Sequence, residues 1–337
     1  MPNVVKRGHV LQEINQLLAN NGFETSHIYD RSCFDMVARR KLLLLLLKVL
    51  VNIDGINGIQ AQEIKRLSHS FMASPLIVGL KSKSEYLEED VIYERHGIPV
   101  IGLETLKNMI IDNEYPEILA DRGGYYVHIN GEVLKEVRED YNLSLKDLAD
   151  LAHVSRETIY KYEHGIVRAC PETALMLEDI LNLKITLSID LFKVPDSLKD
   201  RNVNNFSNKT SLDDNKINMN EAQPQKLIEL GFGVIPTKKT PFDALVKMEI
   251  NKKVSNTSEN PLIANLEKNR KQRTLKKMAI TLKDLSLITG SSSVFILDNE
   301  KIKESLDGIP VVHSWEMGEM ETPAEFLKMI KERNEYN

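Results

Sequence analysis

Apolar positions along this chain change rhythm several times, and each change marks a block. An opening helix-period pattern stops at Asn21-Gly22-Phe23. Residues 42–47 are then an unbroken apolar run, resumed at 49–51 beyond Lys48. That run is about half the length needed to span a bilayer, and it predicts a strand buried on both faces. Residues 76–80 and 294–297 read as further short strands. Helices flanking strands of this kind predict a three-layer α/β domain.

The two ends of the chain repeat one another. Cys33-Phe34-Asp35-Met36-Val37 matches Pro241-Phe242-Asp243-Ala244-Leu245, and Leu67-Ser68 matches Leu285-Ser286. Gly97-Ile98-Pro99-Val100 matches Gly308-Ile309-Pro310-Val311. Matches in the same order at similar spacing imply an internal duplication. Each copy reads helix, strand, strand, helix, strand, strand, helix. Between the central and last blocks lies a stretch rich in Asn, Asp, Ser and Lys, too poor in apolar residues to offset its ordering entropy. It reads as a linker.

The middle of the chain has a helical period throughout. Residues 133–141 form the first helix. Ser144 then occupies an N-cap position with Asp147 three residues on, close to a capping box. Leu145, Leu148, Ala149 and Ala152 share one face of the second helix. His153-Val154 makes a turn, and Ser155 caps a third helix whose Ile159 and Tyr162 face inward. Gly165 ends it, and Pro171 opens a fourth helix with Ala174, Leu177 and Leu181 on one side.

These segments resemble the Cro/repressor-type helix-turn-helix domains. The residues that carry the likeness are 143–149, Val154-Ser155-Arg156-Glu157-Thr158-Ile159, Tyr162-Glu163-His164-Gly165 and 172–175. One departure is Ala169, where the family often has proline. The resemblance implies that the helix from Ser155 lies in the major groove of double-stranded DNA. It assigns DNA contact to Ser144, Lys146, Ser155, Arg156, Glu157, Thr158, Tyr160 and Lys161. Arg156 suits guanine, Thr158 a base edge or thymine methyl, and Ser144 and Lys161 phosphates. As plain structure, Ser144 and Ser155 are caps, Glu157 is a solvated charge and Glu163 is an internal hydrogen-bonding or ion-pair residue. From Glu132 to Asp190 there are 7 Lys and Arg against 12 Asp and Glu, so a lone module binds DNA weakly.

The first block resembles the restriction-endonuclease-like fold, particularly Holliday junction resolvases, through Glu13, Asp35 and Lys48. Enzymes of that fold gather carboxylates around Mg²⁺. The pattern requires an acid two residues before the lysine, and Leu46 stands there. In the second copy Asp243 remains, Ala222 replaces the helix glutamate, and residues 261–265 carry no acid-x-Lys pattern. Both copies read as inactive, with Asp35 and Asp243 read by default as cap or turn residues. Phe34-Asp35-Met36-Val37-Ala38-Arg39-Arg40, the leucine run and the central block together resemble a family of archaeal transcriptional regulators.

The expected organisation is therefore a nuclease-like α/β domain over 1–115, a helix-turn-helix domain over 127–192, a linker over 195–225 and a second nuclease-like domain over 226–337. The fold class is α/β for the duplicated outer domains and all-α for the centre. A net charge of -5 over 337 residues excludes a polybasic, histone-like binder. The most basic stretch, from Lys268 to Arg273 and on to Lys276 and Lys277, reads as a solvated helix face, with a track along the DNA backbone as the alternative. Cys33 and Cys170 are in no metal-ligand spacing and read as free thiols of a cytoplasmic protein.

These features predict a sequence-specific transcriptional regulator with no cofactor, no enzymatic activity and no membrane partner. A metal-dependent nuclease targeted by the helix-turn-helix and a protein-interaction scaffold are the alternatives. Cro-type modules commonly bind as homodimers, although the outer copies could instead pair within one chain.

Overall fold

The computed structural model describes residues 6–83, 85–192, 222–248, 260–266, 270–298, 302 and 304–335. The expected linker at 195–225 lies outside them except for 222–225. The first elements are α1 (Arg7–Asn20), β1 (Glu24–Thr25), β2 (Met36–Arg40), β3 (Leu43–Asn52), α2 (Gly58–Phe71) and β4 (Ser74–Ser82). Next come β5 (Glu85–Tyr86), β6 (Val91–Arg95), β7 (Ile98–Ile101), α3 (Leu103–Lys107), β8 (Ile118–Asp121) and β9 (Gly124–Ile129). The central helices are α4 (Gly131–Asp140), α5 (Leu145–Leu151), α6 (Arg156–Glu163) and α7 (Pro171–Leu181), followed by β10 (Thr186–Leu187). Then follow α8 (Ala222–Glu229), β11 (Phe232–Pro236), β12 (Ala244–Met248), β13 (Leu262–Leu266), α9 (Gln272–Thr289) and β14 (Ser293–Leu297). The chain closes with β15 (Ser305–Leu306), β16 (Ile309–His313), α10 (Ser314–Met317) and α11 (Pro323–Glu335). No described helix is long and apolar enough to cross a membrane.

The described residues form two compact units, one drawn from 6–17, 49–56 and 76–192, the other from 18–48, 57–75 and the described residues between 222 and 335. In the first unit β4 and β7 pair in parallel, with Ile77 opposite Val100, and β7 pairs antiparallel with β6. The sheet does not end there. β6 pairs in parallel with β8, β8 makes an antiparallel hairpin with β9, and β9 pairs with β10. The helices α4 to α7 are thus spliced onto a sheet. Their core gathers Leu134, Leu148, Ile159, Tyr162, Leu177 and Leu181 with Val127 and Ile129 of β9.

In the second unit β1, β2 and β3 form an antiparallel meander in which Met36 faces Leu47. Leu44 to Leu47 are buried as the apolar run predicts, while Leu42 sits in the turn before the strand, fully exposed. A separate six-stranded sheet has the order β11-β12-β13-β14-β16-β15. It repeats the earlier pairing. β11, β12 and β13 are antiparallel like β1, β2 and β3, and β14, β16 and β15 are arranged like β4, β7 and β6. Asp35 N–H donates to Leu47 O, and Asp243 N–H donates to Ala264 O at the matching place. The expected element order omitted the leading strands β1 and β11 and, in the second half of each copy, β5 and β6 and their counterpart β15.

The second unit also holds a reciprocal contact between the copies. Arg66 of α2 donates to Pro236 O, and Glu63 accepts from Lys238 N–H at 2.9 Å. From the other side, Asp284 of α9 accepts from His27 N–H at 2.9 Å and Tyr29 O–H at 2.6 Å. Arg66 precedes Leu67-Ser68 and Asp284 precedes Leu285-Ser286, so matching positions make matching contacts. That is the signature of an isologous interface.

Candidate nucleic-acid interface

The reading unit is built from short-range signals. Asn130 caps α4 by accepting from Val133 N–H. Ser144 and Asp147 complete a reciprocal capping box on α5. The turn after α5 bends through His153 at φ 54°. Ser155 then caps α6 by accepting from Thr158 N–H. Ile159 and Tyr162 are buried, which turns Arg156, Glu157 and Tyr160 outward and leaves Thr158 and Lys161 half-buried.

The outward side chains are not equally free. Lys161 is paired with Glu157 at 2.8 Å, and that ammonium holds the Glu157 carboxyl below its ordinary range. The Thr158 and Ser155 hydroxyls lie 2.8 Å apart, and the Tyr160 ring leans on His164 with centroids 4.0 Å apart. Among the described residues, Arg156 and Lys146 have no ion-pair partner. Glu163 turns inward, and Arg138 Nε donates to its carboxylate at 2.5 Å.

A β-hairpin sits against the end of α6 that sequence reasoning left unassigned. β8 and β9 are joined by Arg122-Gly123, with Gly123 at φ 92° and Gly124 at φ 149°. Val127 and Ala169 exchange both backbone hydrogen bonds, at 2.8 and 3.1 Å. This accounts for the departure at Ala169, because a proline there would have no N–H to donate. Gly131 packs so closely that a Cβ would lie 2.3 Å from Glu163 O. Arg168 pairs with Asp121 at 2.5 Å and lies over the Tyr126 ring. The available signal was Arg122-Gly123-Gly124 between two runs rich in apolar and aromatic residues.

Comparison with known proteins matches residues 134–187 to a helix-turn-helix family and residues 7–116 to the PD-(D/E)XK superfamily domain. A "Putative HTH-type transcriptional regulatory protein" of Methanothermobacter thermautotrophicus is 61% identical over 334 residues, 99% of each chain. A protein of the same description from Methanobrevibacter smithii is 54% identical over 98% of this chain and 99% of its own. One from Thermococcus kodakarensis is 35% identical over 97% and 96%. The chain belongs to this family of HTH-type transcriptional regulatory proteins.

In this family member the nuclease-like positions are engaged otherwise than a metal centre requires. Glu13 pairs with Lys107 at 2.9 Å. Asp35 is no cap or turn residue. It forms an ion pair with Lys48 at 3.0 Å, with the two side chains 1% and 7% exposed. Leu46, in the place of the missing acid, is buried. Cys33 N–H donates to Lys239 O, so the second copy's loop lies against the segment that carries Asp35. Asp243 corrects the same expectation, receiving Arg270 in a bidentate pair at 2.7 and 2.9 Å. Asn265, at the place of Lys48, is fully buried, and neither polar atom of its side chain has a partner among the described residues. Among the described residues no three His, Cys, Asp or Glu side chains converge as a metal site would need. These residues do not fit a Mg²⁺ centre.

The basic stretch divides. Lys268 and Asn269 lie outside the described residues, Arg270 serves Asp243, and Lys271, Arg273, Lys276 and Lys277 are exposed at and beyond the start of α9.

Proposed function

We propose that this chain is a sequence-specific, DNA-binding transcriptional regulator that reads the major groove of double-stranded DNA with α6. The observation that carries this reading is the split face of that helix. Ile159 and Tyr162 fix it to the core, and Arg156 stands outward without an ion-pair partner among the described residues. Arg156 grips guanine O6 and N7, and Thr158 meets the neighbouring base edge. Glu157 and Tyr160 line the same face. Lys161 exchanges Glu157 for a phosphate, while Ser144, Lys146 and Ser155 flank the backbone.

The outer copies, assigned to 1–115 and 226–337 around the 127–192 module, belong to the same cytoplasmic regulator and do no chemistry. Two chains on paired half-sites form the binding assembly, because one module is net acidic and weak on its own.

Selection of bound DNA from a random library, with Mg²⁺ present and Arg156→Ala alongside, tests this reading. An enriched motif that Arg156→Ala loses or relaxes is the expected result. No enrichment would sink it and favour a protein-interaction scaffold; cut DNA would favour a nuclease.

A further inference from the structure

We propose that the β8–β9 hairpin is a second DNA contact, which delivers Arg122 to a backbone phosphate at the edge of the groove read by α6. The inference rests on the DNA-binding reading and adds a site to it.

The position follows from where the hairpin is fastened. α6 has eight residues, so it is about 12 Å long, close to the roughly 12 Å width of a major groove. A helix whose N-terminal end meets the bases therefore brings its C-terminal end to the phosphate ridge. The hairpin is attached at that end. Gly131, just after β9, packs on Glu163 O and Tyr162 O. Val127 and Ala169 lock β9 to the loop that leaves α6. Arg168 carries the same loop along the hairpin toward its tip through Asp121 and Tyr126.

Glu88 lies along β9, where its carboxylate accepts from the Tyr125 hydroxyl, and the acids at the two ends of β8 are paired. Asp121 is neutralised by Arg168, and Glu117 at the base of β8 by Lys184 at 2.5 Å. Arg122 is exposed at the tip and has no ion-pair partner among the described residues. Gly123 and Gly124 beside it carry no side chain to hold a backbone ridge away. The groove between β9 and the loop after α6 is lined by Tyr126 and His128 of the strand and by Ile166, Val167 and Arg168 of the loop. A module with 7 basic against 12 acidic residues needs such a contact, since phosphate neutralisation supplies most of the affinity.

The test is binding of the full chain to its selected DNA across a salt series. Arg122→Ala is expected to weaken binding about three- to tenfold on every sequence and to lower the salt slope by about one. The enriched motif should stay the same, whereas Arg156→Ala changes it. Arg122→Lys should retain most of the affinity, and thermal melting of each variant reports folding. Unchanged affinity and slope in Arg122→Ala, with motif binding intact in the unmodified chain, would overturn the hairpin contact and leave the α6 reading standing. A chain that enriches no DNA would overturn both.

Discussion

Arg138 of α4 and Glu163 at the end of α6 close on each other at 2.5 Å, with side chains only 9% and 3% exposed. The Glu163 carboxylate holds the Arg138 guanidinium above its ordinary value. The pair ties the first helix of the reading unit to the helix proposed to enter DNA.

Removing either partner leaves the other charge buried and uncompensated. Arg138→Ala or Glu163→Gln should cost about 3 kcal/mol, read as a lower denaturant midpoint for the helical block. An Arg138→Met, Glu163→Leu double variant should recover part of that loss. If both single variants melt like the unmodified chain, the pair contributes nothing.

Glu178 makes the stability of the same block depend on pH. Burial pushes its carboxyl up, but Thr186, through its N–H and hydroxyl, and the Ile185 N–H donate to it and hold it below the ordinary glutamate range. A folded value below the unfolded one gives stability that is complete above the unfolded value, about 4.3, and lost as pH falls through the folded one. Glu178→Gln should therefore melt below the parent at neutral pH, and the gap should close in acid. A gap that persists at pH 2 would contradict this.

Mg²⁺ should leave the chain unchanged. With Asp35 and Lys48 closed on each other and Leu46 buried, titration should not raise the melting temperature or start DNA cleavage. Lys48→Ala, by contrast, should destabilise by about 3 kcal/mol, because the buried Asp35 carboxylate loses its paired cation. Cleavage that requires Mg²⁺ and disappears in Asp35→Asn would show that a working centre assembles.

The contact between the copies should respond equally from its two sides. Asp284→Ala removes the carboxylate that accepts from the buried Tyr29 hydroxyl, and Arg66→Ala removes the cation paired with Glu63 and the donor to Pro236 O. Each should cost about 1–3 kcal/mol in chemical denaturation. A cost from one side alone would argue against the reciprocal arrangement.

What the sequence revealed tracks how local each determinant is. Ser144 with Asp147, Ser155 with Thr158, and the apolar faces of α5 to α7 are decided within a few residues, and the structure places them as the pattern implies. The turn Arg122-Gly123-Gly124 marks the hairpin locally, but its place is fixed by partners far along the chain, β6 before it and Ala169 after it. The roles of Asp35 and Asp243 were hidden for the same reason, since Lys48 and Arg270 reach them only once strands have paired. Tyr29 and Asp284, 255 positions apart, lie beyond any local pattern.

Two identical subunits share one gene, so a substitution on one face of their interface appears on the other as well. The reciprocal contact made by Arg66 and Asp284 lies within a single chain and escapes that coupling. Each half can drift while the other keeps its fit, and the molecule shows the result. Arg66 stands where the other copy has Asp284, and Pro241 occupies the place from which Cys33 donates its N–H. Fusion has freed the two faces to become different residues while preserving the shape they make together.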